Sequence, residues 1–106
     1  MNMSVDERAA AGLEGLERLE RLLNAQNEQN WVRGIRAALA ELRKQDGSVN
    51  TAGFANARSI YRTMTTGGRG FSEYFIWNTD EEARLSANSE LDHLRERLWS
   101  LFSSEE

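Results

Sequence analysis

Apolar residues recur at three- and four-residue intervals in four separate stretches of this chain, and that periodicity restricts the fold more than anything else in it. Val5, Ala9, Leu13, Leu16, Leu19 and Leu23 form one stripe; Trp31, Ile35, Ala38, Leu39 and Leu42 form a second. Phe54, Ala57, Tyr61 and Met64, with Ile60 beside them, form a third. Ala87, Leu91, Leu94, Leu98 and Leu101, broadened by Trp99 and Phe102, form the fourth. This spacing keeps side chains on one face of a helix. It predicts an all-α chain with helices at about 4–24, 28–44, 51–65 and 79–102, folded as an antiparallel four-helix arrangement. At 106 residues the chain is expected to be a single helical domain, 1–106.

Local signals mark the helix ends. Ser4-x-x-Glu7 is a capping box at the first helix, and Thr79-x-x-Glu82 repeats it at the fourth. Asn27 is placed to cap the second helix. Asp46-Gly47-Ser48 reads as a turn, and Gly67-Gly68 as a helix stop. Gly12 and Gly15 weaken the first helix, which points to close packing there. Glu14 with Arg18 and Glu17 with Arg21 are spaced for pairing on its wet side.

One stretch lacks the period. Residues 66–77 read Thr-Gly-Gly-Arg-Gly-Phe-Ser-Glu-Tyr-Phe-Ile-Trp, and four of the nine aromatics fall there. No second strand is visible for it to pair with. It is expected to be an irregular, aromatic-anchored connection, with a single helical turn as the alternative. Phe71, Phe75 and Ile76 are expected to anchor inward. That leaves Arg69, Glu73, Tyr74 and Trp77 as candidate contacts for a partner, because Tyr, Trp and Arg are enriched at binding hot spots. The acidic group Asp80, Glu81 and Glu82 is a second candidate patch.

Much chemistry is disfavoured. There is no cysteine, hence no disulfide, thiolate metal site or cysteine nucleophile. His93 is the only histidine, and no further ligands are spaced around it for a metal. The glycine run after the third helix lacks the strand before it and the Gly-Lys-Ser/Thr of a phosphate loop. Asp80, Glu81 and Glu82 are explained by a helix start. No catalytic residue, metal or cofactor is therefore assigned, and the expectation is a non-enzyme. No apolar run approaches the length of a membrane span, and the first residues are acidic, so a cytoplasmic location is expected.

Charge is segregated. Residues 1–30 hold three basic and six acidic side chains, residues 31–70 seven and two, and residues 71–106 three and nine. Arg58, Arg62 and Arg69 could form an anion-binding group, but the net charge of −4 speaks against nucleic acid. The simpler reading pairs these arginines with the acidic fourth helix.

The run Ala57-Arg58-Ser59-Ile60-Tyr61-Arg62, the Gly-x-Gly-Phe-Ser-Glu at 68–73, Ile76-Trp77, and Asn88-x-Glu90-Leu91-Asp92-x-Leu94-x-x-x-Leu98-Trp99 resemble a group of small helical bacterial proteins that look like the immunity partners encoded beside toxins. The resemblance covers about residues 31–102, leaves out the first helix and brings no catalytic residues. It implies an inhibitor that binds one cognate toxin and blocks its active site. A homodimeric helical scaffold joined through the first helix is the alternative, and an anion- or nucleic-acid-binding module is a third.

Overall fold

The computed structural model describes residues 3–66 and 70–103. Its order is α1 (Val5–Ala25), α2 (Trp31–Leu42), α3 (Phe54–Thr65) and α4 (Glu81–Ser103). Single 3-10 turns at Thr51–Gly53 and Phe71–Glu73 precede α3 and follow it. The protein is all-α: no strand occurs among the described residues, and the one bridge, Arg43 to Val49, closes the turn after α2. α1 packs on α2 and α4, α2 on α3, and α3 on α4.

The caps explain where the helices begin. Ser4 and Glu7 form the expected box: the Glu7 N–H donates to Ser4 Oγ at 3.1 Å, and the Ser4 N–H donates to Glu7 Oε1 at 2.8 Å. The next two caps differ from expectation. Asn27 takes a left-handed conformation, φ 56°, and ends α1 instead of starting α2. The N–H groups of Glu28 and Asn27 return to the carbonyls of Leu23 and Asn24, the pairing of a Schellman end. Glu28 then caps α2, its carboxylate accepting from the N–H groups of Asn30, Trp31 and Val32, each at 2.8 Å. At α4 the Thr79–Glu82 box does not form. Asp80 Oδ2 accepts from the Ala83 N–H at 2.9 Å, one residue later than expected, and Asn78 Oδ1 accepts from the Asp80 N–H at 2.8 Å. An Asn-x-Asp pair offers two side-chain acceptors in succession, and that fixes the start.

All four stripes meet in one core of buried side chains. Phe102 lies against both Phe54 and Tyr61, with ring centroids 5.3 and 5.5 Å apart. The glycines of α1 do what their cost suggests. A Cβ at Gly12 would stand 3.3 Å from the Phe102 ring, and one at Gly15 only 2.9 Å from Leu98. α1 and α4 therefore approach closely because side chains are missing at the seam. Gly53 is tighter still, since a Cβ there would collide with the Glu41 carbonyl of α2. Two stripe members stay outside: Val5 is exposed in the first turn, and Trp99 is 42% exposed instead of widening the core.

The ion pairs also differ from expectation. Glu17 meets Arg43 at 3.3 Å and Glu20 meets Arg36 at 3.0 Å, joining α1 to α2 across their exposed edge. Each is worth about 0–1 kcal/mol at such exposure. Among the described residues, no ion pair joins Arg58 or Arg62 to α4.

Candidate functional site

Between α3 and α4 the chain runs along α4 as a strap, residues 71–78, bonded to Arg84, Asn88 and Arg95. Phe71 starts it and is fully buried, its ring 5.7 Å from Trp31 and 6.1 Å from Tyr74. Beyond the 3-10 turn the backbone extends, with Tyr74 at φ −64°, ψ 140°. An extended segment with no sheet beside it must satisfy its polar groups elsewhere.

Three side chains of α4 supply the partners. Arg95 Nη1 donates to the carbonyls of Phe71 and Tyr74 at 2.7 and 2.8 Å, while its Nη2 donates to Asp92 at 2.7 Å. Its guanidinium also lies 5.5 Å over the Phe71 ring. Asn88 grips Ile76 at both ends: the Ile76 N–H donates to Asn88 Oδ1 at 2.9 Å, and Asn88 Nδ2 donates to the Ile76 carbonyl at 2.8 Å. Arg84 Nη1 donates to the Asn78 carbonyl at 3.0 Å and its guanidinium stacks 4.9 Å over the Trp77 ring. The strap thus advances as α4 recedes. Residues 84, 88 and 95 are four and seven apart, so with buried Leu91 they share roughly 60° of helix surface. Ser72 adds a bond from Oγ to the Thr65 carbonyl at 3.0 Å.

With the backbone held, side chains alternate. Ile76 is buried, whereas Phe75 is 59% and Trp77 70% exposed. Phe75 therefore does not anchor inward as expected. In an extended segment the residues on either side of a buried one point the other way. Leu85 is as exposed, at 61%, but stands alone on α4, whereas Phe75 and Trp77 are two residues apart on a held backbone and form a candidate contact patch.

The remaining candidates are spread along the strap and its end. Glu73 is exposed, and Tyr74 is half-buried beside Phe71. Burial raises the Tyr74 phenol above its ordinary pKa, and the Glu28 carboxylate adds to the shift. Asp80 is exposed but engaged as the α4 cap, and Glu81 and Glu82 point into solvent in the first turn of α4. Arg69 lies outside the described residues. On α3, Arg58 is half-buried and Arg62 exposed. Sequence reasoning missed Arg84, Asn88 and Arg95. Their signal was present, since polar residues stand in line with Leu91 and Leu98 where an apolar stripe would continue.

An open concavity of about 610 Å³ lies between α3, Ser72 and α4, lined by Tyr61, Thr65, Ser72, Asp92, Arg95, Glu96 and Trp99. Its hydroxyls are already engaged: Tyr61 donates to the Arg95 carbonyl at 3.3 Å, Thr65 to that of Tyr61 at 2.9 Å, and Ser72 to that of Thr65. Burial pushes the Tyr61 phenol well above its usual range, opposed weakly by the Arg95 charge. Among the described residues, no group of three or more His, Asp or Glu is placed to hold a metal ion. His93 is exposed on α4. No helix of the described residues is long and apolar enough to cross a membrane.

Comparisons with family models, with curated proteins and with solved structures find no match to this chain.

Proposed function

We propose that this protein is a binding inhibitor, an immunity protein that neutralises a cognate bacterial toxin in the cytoplasm by covering its active site. In this reading the four helices are an antiparallel bundle that serves as a stand for the strap. The observation that carries it is the pair Phe75 and Trp77, exposed on a backbone that three α4 side chains hold in place. Aromatic side chains presented by a fixed backbone lose little freedom on binding, which favours affinity. The sequence resemblance to immunity proteins points the same way. Contact residues under this reading are Phe75 and Trp77 at the centre, with Glu73, Tyr74 and Arg69 on one side and Asp80, Glu81 and Glu82 on the other.

The scaffold alternative is weakened by burial. It required the leucine stripe of α1, and Leu13, Leu16, Leu19 and Leu23 are buried in the chain's own core.

The test uses the protein encoded beside this one. Co-expression is expected to restore growth to cells producing that neighbour. A Phe75→Ala, Trp77→Ala double variant is expected to keep its helical circular dichroism and lose the protection. Full protection by the double variant overturns the docking surface.

A further inference from the structure

The way the strap is fastened leaves one of its two backbone edges open. On the α4 side, the Tyr74 carbonyl, both polar groups of Ile76 and the Asn78 carbonyl are all bonded to Arg95, Asn88 and Arg84. These groups belong to even-numbered residues. In extended backbone the N–H and C=O of alternate residues point to opposite edges, so those of Phe75 and Trp77 face away from α4. Among the described residues they make no hydrogen bond. Asn88 thus acts as the neighbouring strand on one side, and nothing takes that place on the other. An unpaired extended edge is a ready template for another chain.

We propose that the Phe75–Trp77 edge pairs with an extended segment of the partner protein, adding to the strap as a second strand would. This rests on the docking reading above and specifies how the same surface is used. Main-chain bonds would give the affinity and the two aromatic side chains the selectivity, as in other strand-addition complexes. The ends of the strap fix the chemistry of the segment's flanks. Glu73 stands at one end and Asp80, Glu81 and Glu82 at the other, all exposed and in no ion pair among the described residues. The segment is therefore apolar at its centre and carries lysine or arginine at its flanks.

Amide hydrogen exchange of the free chain is the first measurement. The Ile76 amide is expected to be protected, with those of Phe75 and Trp77 exchanging freely; protection at Phe75 and Trp77 in the free chain overturns the open edge. The second compares Trp77→Pro with Trp77→Ala in binding the neighbour-encoded protein. Both lose the indole, but only proline loses the N–H, and an extended strap accommodates its fixed φ. Proline is expected to bind about tenfold more weakly than alanine, the weight of roughly one main-chain bond. Both variants are expected to unfold at the same temperature. In the complex, the Phe75 and Trp77 amides are expected to become protected, and the affinity to fall as salt is raised.

Equal affinity of the two variants, with Phe75 and Trp77 still unprotected in the complex, overturns strand pairing. The docking reading survives that result if Phe75→Ala, Trp77→Ala still abolishes binding. Loss of neither contact in the double variant takes both down. Affinity indifferent to salt overturns the basic flanks. A dimer of the purified chain that Trp77→Pro dissociates assigns the edge to a second copy, against the partner named here.

Discussion

The seam between α1 and α4 and the strap further along the same stripe of α4 use opposite means of attachment. At the seam, Gly12 and Gly15 let Phe102 and Leu98 come close, and the contact is apolar surface against apolar surface. At the strap, only Phe71 and Ile76 are buried, and three polar side chains grip named backbone atoms. The first kind of contact is non-directional and is shared over many atoms. The second is directional, so each bond specifies a position in the chain. One stripe of α4 thus serves as structural core toward its C-terminal end and holds the strap toward its N-terminal end.

The sharpest way to break this contrast is to damage each side separately. Leu98→Ala at the seam is expected to destabilise the whole protein by about 3 kcal/mol, and to accelerate exchange of core amides throughout. Arg95→Ala is expected to lower stability by about 2 kcal/mol, since two carbonyls lose charged donors. Its distinguishing mark is local: exchange at Ile76 should rise more than exchange in α1 and α2. Equal acceleration everywhere would mean that strap and core open together, and the contrast would fail. Asn88→Ala is expected to cost about 1 kcal/mol, again concentrated at Ile76. Phe75→Ala with Trp77→Ala is expected to change stability by no more than about 0.5–1 kcal/mol, most of it the lost stacking of Arg84 on Trp77.

The smallest effect lies in the turn after α2. The Ser48 hydroxyl and N–H both bond to Asp46 Oδ1, at 2.6 and 3.0 Å. The hydroxyl bond first and the N–H bond next hold the Asp46 carboxyl below its ordinary pKa of 3.8. A pKa lowered in the folded state means stabilisation that is complete above 3.8 and lost as pH falls through the lower folded value. Carboxyl chemical shifts followed against pH are expected to place the Asp46 midpoint below that of a free aspartate.

The helices were legible because their periodicity is a property of the sequence itself. Leu16, Leu39, Tyr61 and Leu98 are buried as their spacing requires, and Gly12 and Gly15 mark the close approach they suggested. The caps were partly legible. Ser4 and Glu7 form their box, whereas Thr79 lost to Asp80 and Asn27 gave way to Glu28. Cap choice among adjacent polar residues depends on the entry angle of the chain, which tertiary packing sets. The strap was the least legible region. Phe75 and Ile76 are neighbours of similar hydrophobicity, and only the grip of Asn88 on Ile76 decides which one points inward. That grip depends on a residue twelve positions away, beyond the reach of any local pattern.

The Arg84–Asn88–Arg95 row has a consequence in time as well as in space. All three grips come from a single helix and share a face only while that helix is wound. The strap finds these partners only on a wound α4, so it is expected to order after α4 in folding. In the folded chain it is expected to open before the helices unwind, with Phe71 and Ile76 leaving the core as it does. Under the docking reading, a molecule with its helices assembled and these bonds still open would lack the set aromatic edge, and binding would wait on the last of them.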